Sequence, residues 1–248
     1  MKVLGFEASG LVASVALVED DILLGEYTIN HKRTHSKTLM PMLDELKKRL
    51  ELDLESIDAI AVASGPGSYT GLRISSSTAK GLGMALNKPI VSVPTIDGLA
   101  YNMWGASGLV CPIMDARRKQ VYTGLYRFED SSMHTVKPQA VMDINELLSF
   151  ICEMLNDNDS QVLFLGDGIK LYHDLIIERL ENKADFAPAH INMNKASSVA
   201  SLGIEYLRQG EVESPALHRP RYLKLSQAER ERLDSGKNIL EPSDGEFT

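Results

Sequence analysis

The chain has 248 residues, room for one or two domains with sizeable cores, and its 44% hydrophobic and 24% charged residues are those of an ordinary globular protein. Its formal net charge of −8 argues against a stand-alone nucleic-acid binder, since phosphate contacts need clustered Lys and Arg; an RNA role would need a partner to supply basic surface. The opening MKVLGFEASG is not a signal peptide, and no apolar window approaches the roughly 20 residues of a membrane span, so a cytoplasmic protein with no membrane contact is expected.

In chain order, KVLGFEAS, ASVALVED and ILLGEYTIN read as three strands joined by tight turns, an antiparallel meander. HSKTLMPMLDELKKRLEL places Leu39, Leu43, Leu46 and Leu50 at helical spacing, with Pro41 tolerable only in a first turn. IDAIAVASG is an apolar strand running into the glycine loop SGPGSYTG, and a small-residue helix over 71–86 follows. PIVSVPT is the next strand. The second half restarts with LVCPIMDA and QVYTGLYRF around the charged turn ARRK, then TVKPQAVM, a helix DINELLSFICEML capped by Asp143, a strand QVLFLGDG and a helix IKLYHDLIIERL. KASSVASLGIEYLRQG is the last strong helix, with Gly210 as its stop. This is an α/β chain of two similar βββαβα lobes. The expected division is 1–105, 106–224 with the last helix free to pack back on the first lobe, and a polar tail over 225–248 that frays. Cys111 and Cys152 lie in apolar sequence without metal-ligand spacing and read as buried thiols.

The residues able to do chemistry are few. SGPGSYTG has neither the P-loop nor the GxGxxG spacing, and either Ser68 or Thr70 can cap the helix after it. Glu7 and Ser9 end the first strand, and Asp115 ends its counterpart in the second half. Facing each other across a cleft, the two carboxylates could organise a metal–phosphate complex; taken singly, they are solvated strand ends. His31 and His35 are four apart, but Lys32 stands where a zinc-site glutamate belongs, and Arg33 and Lys37 add positive charge. His134, His173, His190 and His218 are scattered, and no serine has a local base.

The strings VLGFEAS, HSKTLMPML, SGPGSYTGLRISSSTAKGLGMAL, MDARRKQVY and the late PRYLK together resemble the TsaB (YeaZ) family, most strongly over 1–125 and again at 220–224. The resemblance implies an actin-like, sugar-kinase-type fold. It implies a non-catalytic dimerisation subunit in the synthesis of threonylcarbamoyladenosine in tRNA, partnering the transferase TsaD in a heterodimer and the small ATPase TsaE. It leaves room for a homodimer of the free chain, for tRNA contact only through the complex, and for ATP or Mg²⁺ only there, with no cofactor in the isolated chain. TsaD holds its metal through a His-x-x-x-His pair; the matching positions here are Thr95 and Leu99, which cannot replace imidazoles. Glu7 stands where many relatives have aspartate, which makes Glu7, Ser9 and Asp115 at most a vestigial nucleotide site. The alternatives are an actin-like ATP-binding enzyme using those three residues and, more weakly, a metallopeptidase.

On a helical wheel, Leu72, Ala79, Leu82, Gly83 and Leu86 fall on one side of 71–86, fit to pack on a sheet, and Ser77, Lys80, Gly81 and Met84 fall opposite. Only Lys80 is charged after Arg73. A surface helix without a charged face is usually covered on both sides, so Ser77, Lys80, Gly81 and Met84 are expected to meet a partner. Met40 and Met42, flanking the leucine stripe of the neighbouring helix, join them as adaptable contacts, with core filling as the competing role.

Overall fold

The computed structural model describes the chain except residues 32–34, 131, 156–160 and 225–248. The expected fraying of 225–248 therefore lies outside the described residues. Strands β1 (Lys2–Glu7), β2 (Val12–Glu19) and β3 (Ile22–Asn30) form the antiparallel meander, and β4 (Ala59–Ala63) and β5 (Ile90–Val93) join β1 in parallel, giving the order β3-β2-β1-β4-β5. The second sheet repeats that order. It comprises β6 (Leu109–Asp115), β7 (Gln120–Glu129), β8 (Ser132–Asp143), β9 (Val162–Leu165) and β10 (Ala184–Phe186), arranged β10-β9-β6-β7-β8.

Helices α1 (Leu39–Arg49) and α2 (Tyr69–Leu86) cover one face of the first sheet. Leu39, Leu43 and Leu46 of α1 and Ala79 of α2 meet Leu4, Phe6, Val15, Ile60 and Val62 there. Pro41 sits in the first turn of α1, where its missing N–H costs nothing. The other face is covered by α6 (Ala196–Arg208), whose Val199, Ala200 and Leu202 pack on Val3, Ala61, Ala63, Val91 and Val93. The last helix thus belongs to the first sheet, although the chain reaches it through the second. Gly210, at φ +79°, follows its C-terminus.

Helices α4 (Ile144–Met154) and α5 (Ile169–Leu180) cover the outer face of the second sheet, and the Asp143 side chain caps α4 by accepting from the Asn145 N–H at 2.8 Å. A short helix that sequence reading missed, α3 (Thr95–Ala100), lies on its inner face, where Ile96, Leu99 and Ala100 meet Val110, Met114, Tyr126 and Leu165. Six residues of TIDGLA are too few to show a helical period. Strand β10, only three residues long, escaped for the same reason.

The layers run α1/α2, first sheet, α6 and α3, second sheet, α4/α5. A polar clasp holds the middle layer: Asp97 of α3 accepts from the Tyr126 hydroxyl of β7 at 2.6 Å and from the Tyr206 hydroxyl of α6 at 3.4 Å. Burial raises the Asp97 pKa above the ordinary carboxylate range, and burial beside Asp97 raises both phenols. Cys111 is buried, its thiol pushed up to about 12 by burial, but Cys152 is exposed on α4. Helix α4 is one-sided: Leu147, Leu148 and Ile151 take the inward face, and Cys152 is the next residue round.

Candidate docking face and interlobe cleft

The glycine loop is tied to the chain's own backbone and side chains. The Ser68 N–H donates to the Ser9 carbonyl at 2.6 Å, the Gly65 N–H to the Thr95 hydroxyl at 3.1 Å, and the Gly71 N–H to the Ser68 hydroxyl at 3.3 Å, which makes Ser68 the cap of α2. The Gly65 carbonyl accepts from the Thr95 N–H at 2.9 Å and from the Gln139 side-chain amide at 3.3 Å. A Cβ at Gly71 would collide with the Ala8 carbonyl, and one at Gly65, where φ is +112°, with the Arg221 carbonyl. The glycines let strand end, loop and C-terminal segment touch. The N–H groups of Gly65, Ser68 and Gly71 are spent on these internal contacts.

Glu7 lies beneath this loop and is 1% exposed. Its Oε1 accepts from both the N–H and the hydroxyl of Ser9, at 2.6 and 2.5 Å, and its Oε2 has no hydrogen-bond partner. Burial pushes the carboxyl up to about 7, against the lowering effect of the Ser9 hydrogen bonds and of Asn194. Asp115, at the matching end of β6, is turned to its own hairpin. Its Oδ1 accepts from the Arg117 N–H at 2.8 Å, and its Oδ2 lies 3.5 Å from the Arg117 Nε. Asp167 receives the Asp115 N–H at 3.0 Å, and burial raises the Asp167 pKa. No hydrogen bond or ion pair joins Glu7 to Asp115 among the described residues. Glu7 is thus a buried carboxyl engaged by Ser9, and Asp115 is engaged by Arg117 of its own hairpin. His35 Nε2 is within 3.0 Å of the Gly10 carbonyl, and no group of three or more His, Cys, Asp or Glu able to hold a metal is found among the described residues.

Helix α2 has one flank that the sequence reading left open and the chain itself covers. Residues 213–221 run back across it as a strap, entering by a two-bond bridge between Glu213 and Ile90 at the edge of β5. His218 is buried beneath the strap. Its Nε2 pairs with the Ser76 hydroxyl at 2.9 Å, and its Nδ1 with Glu213 Oε1 at 2.8 Å and the Ser92 hydroxyl at 2.9 Å. A serine–histidine–glutamate arrangement results, but Ser76 is 3% exposed and His218 1%, so no substrate reaches it. It is a pin. Lys80 Nζ donates to the carbonyls of Ala216 and His218 at 3.0 and 3.1 Å, and a Cβ on Gly83 would press on Pro215. Lys80, expected among the partner contacts, spends its ammonium on the strap's backbone.

The next flank is bare. Ser77, Gly81 and Met84 are exposed, Met84 at 66%, and a Cβ on Gly81 would meet nothing within 4 Å. Between this flank and α1 lies a groove of about 490 Å³ lined by Leu39, Met40, Tyr69, Arg73, Ile74 and Ser77, among others. Met40 is 48% exposed at its wall. Met42 is a correction: at 5% exposure it packs in the core with Leu43 and Leu46, because it falls on the leucine side of α1. Leu82, assigned to the core, is half-buried against that same core. Tyr69 at the groove mouth, Arg73 donating to its hydroxyl at 2.7 Å, and Tyr222 stacked on its ring at 4.9 Å carry no periodicity or spacing signal in the sequence. The quoted strings GPGSYTGLR and PRYLK contained all three.

Two five-stranded sheets of identical strand order, with paired helices outside and single helices between, define an α/β protein of the actin-like, sugar-kinase type. The polyphosphate/ATP-glucomannokinase of Arthrobacter sp. strain KM shares this fold at TM-score 0.50 and 12% identity, over 84% of this chain and 99% of that one. YeaZ from Pseudomonas aeruginosa superposes more closely, at TM-score 0.75 and 26% identity over 90% of this chain and 99% of that one. The family model described as TsaD, tRNA N6-adenosine threonylcarbamoyltransferase, matches residues 23–232. The tRNA threonylcarbamoyladenosine biosynthesis protein TsaB of Bacillus subtilis (strain 168) is 36% identical over 96% of this chain and all of its own length. That of Escherichia coli (strain K12) is 28% identical over 71% of this chain and 75% of its own. The chain belongs to the TsaB (YeaZ) family.

Proposed function

We propose that this chain is a docking subunit of the machinery that makes threonylcarbamoyladenosine in tRNA, and that it binds a TsaD-type transferase through the open flank of α2 and the groove beside it. Gly81 carries the reading. A glycine in a helix interior costs about 1 kcal/mol relative to alanine, and nothing among the described residues comes near enough to require one. A partner backbone approaching α2 would require it, with Met84 and Met40 as adaptable contacts on either side. The partner's class is supported by the comparisons: relatives are named for the same modification, and one family model, described as the transferase, spans most of this chain. A transferase of the same fold would present an equivalent helix pair, so helix pair meets helix pair about a pseudo-twofold axis.

In this reading the chain contributes surface rather than reacting groups. Nucleotide or Mg²⁺ would enter the assembly with the transferase and with a TsaE-type ATPase, and tRNA would be held largely by those partners. The test is sedimentation velocity of the chain mixed with a TsaD-family transferase, alongside modification of a tRNA transcript when a TsaE-type ATPase, ATP, Mg²⁺ and a threonylcarbamoyl donor are supplied. A one-to-one complex that modifies the transcript, with neither protein active alone, is expected. Two independently sedimenting species, or modification by this chain alone, would overturn the reading.

A further inference from the structure

The hairpin loop between β6 and β7 carries Arg117, Arg118 and Lys119, all exposed, at φ +64°, +58° and +60°. Among the described residues no other run of three non-glycine residues lies at positive φ. Successive positive-φ positions in a hairpin loop select Asn, Asp and Gly, because a Cβ there crowds the backbone. Arg-Arg-Lys is the wrong chemistry for the turn. The backbone is nevertheless held on every side. The Ala116 N–H donates to the Gln120 carbonyl at 3.0 Å, the Gln120 N–H to the Arg117 carbonyl at 3.2 Å, and the Ile144 N–H to the Lys119 carbonyl at 3.0 Å. From the other side, Lys224 Nζ donates to the Ala116 carbonyl at 2.6 Å and to Gln120 Oε1 at 2.9 Å. Asp115 engages Arg117 alone, and no side-chain hydrogen bond or ion pair engages Arg118 or Lys119 among the described residues.

A strained conformation that its surroundings fix, filled by residues unsuited to it, is kept for what the side chains do. We propose that the Arg118–Lys119 tip of this turn is the chain's own contact with the tRNA sugar–phosphate backbone. The proposal rests on the reading that the chain serves tRNA modification. The turn projects two cations from a protein of net charge −8, so its contribution adds to a basic surface supplied by the partner and is weak without it.

Arg118→Asn with Lys119→Gly tests this, because it installs the residues the turn geometry prefers while removing both cations. The wild-type and doubly substituted chains, each in complex with the transferase, are titrated into a labelled tRNA transcript by fluorescence anisotropy over a range of salt. The substituted complex is expected to bind about ten-fold more weakly at low salt, with a log–log salt slope shallower by about 1.5, since each phosphate contact contributes about 0.7–0.9. The substituted chain alone should melt about 2–4 °C higher as strain is relieved. Unchanged tRNA affinity and slope with the higher melting temperature would overturn the proposal and leave the turn purely structural. Displacement of the tRNA from the wild-type turn by micromolar inorganic triphosphate would overturn it in favour of a free polyphosphate ligand. Sizing both complexes first separates a failure of assembly, which concerns the docking face, from a failure of RNA contact.

Discussion

Two flanks of α2, one residue apart in sequence, have opposite fates. Ser76, Lys80 and Gly83 lie under the strap, where hydroxyl, ammonium and bare Cα each meet a specific group of residues 213–221. Ser77, Gly81 and Met84 lie alongside and are exposed, and a Cβ on Gly81 would meet nothing within 4 Å among the described residues. Both flanks use small residues, and on the strap side the reason is visible in the structure: Gly83 is small because Pro215 is there. The same residue choice on the open side has no such reason among the described residues, which is what favours the proposed neighbour from another chain.

The largest expected effect that breaks this symmetry is Met84→Arg. It places a charge where the partner must desolvate it, at about 3 kcal/mol or more, so affinity for the transferase should fall at least a hundred-fold while the chain's melting temperature stays within a few degrees. Sedimentation equilibrium and a thermal melt of the same preparation check both halves.

Glu7 contrasts the two lobes instead. Its carboxyl, 4.5 in a free side chain and about 7 here, is protonated in the folded chain where it is ionised in the unfolded one. The folded state therefore holds the extra proton between these values. The stabilisation is full below about pH 4.5 and is lost as pH rises through about 7, a swing of about 3 kcal/mol. Glu7→Gln should flatten that part of the stability profile and be the more stable form at pH 8. Parallel urea-unfolding profiles of the two proteins between pH 5 and 8 would show that Glu7 is solvated after all.

His218→Ala strikes the covered flank. It leaves Ser76, Ser92 and Glu213 short of a partner inside a cavity, and should cost the free chain about 2–3 kcal/mol, read by urea unfolding. Assembly of the molecules that remain folded should be intact. The smallest effect has opposite signs in two assays. Gly81→Ala should stabilise the free chain by about 0.5–1 kcal/mol, as glycine replacements in helices do, and weaken the complex. Stabilisation with undiminished affinity would place the partner elsewhere.

Much of the fold was legible because its signals are local. Leucine spacing in α1, the apolar run of β4, and the cap residues Ser68 and Asp143 each specify their element within a few positions. The faces of α2 were legible only in part. Periodicity separates Leu72 and Ala79 from Met84, but it cannot say that a segment more than 130 residues later returns to cover Ser76 and Lys80. His218 had no local partner in sequence, and its three partners come from α2, β5 and the strap. Met42 shows the limit of composition: methionine suits core and interface alike, and only its side of α1 decides. The strings shared with the family mark where strap, glycine loop and basic turn meet: Arg221 donates its N–H to the Ser64 carbonyl at 2.6 Å, and Lys224 reaches Ala116.

Methionine footprinting tests the docking claim most directly, since the chain carries its own control. In dilute peroxide, Met84 and Met40 of the free chain should oxidise readily and Met42, at 5% exposure, slowly. On adding a saturating TsaD-family transferase, Met84 and Met40 should be protected together while Met42 keeps its slow rate. Full oxidation of Met84 within a complex that sizing shows to be intact would contradict the account and move the interface off α2.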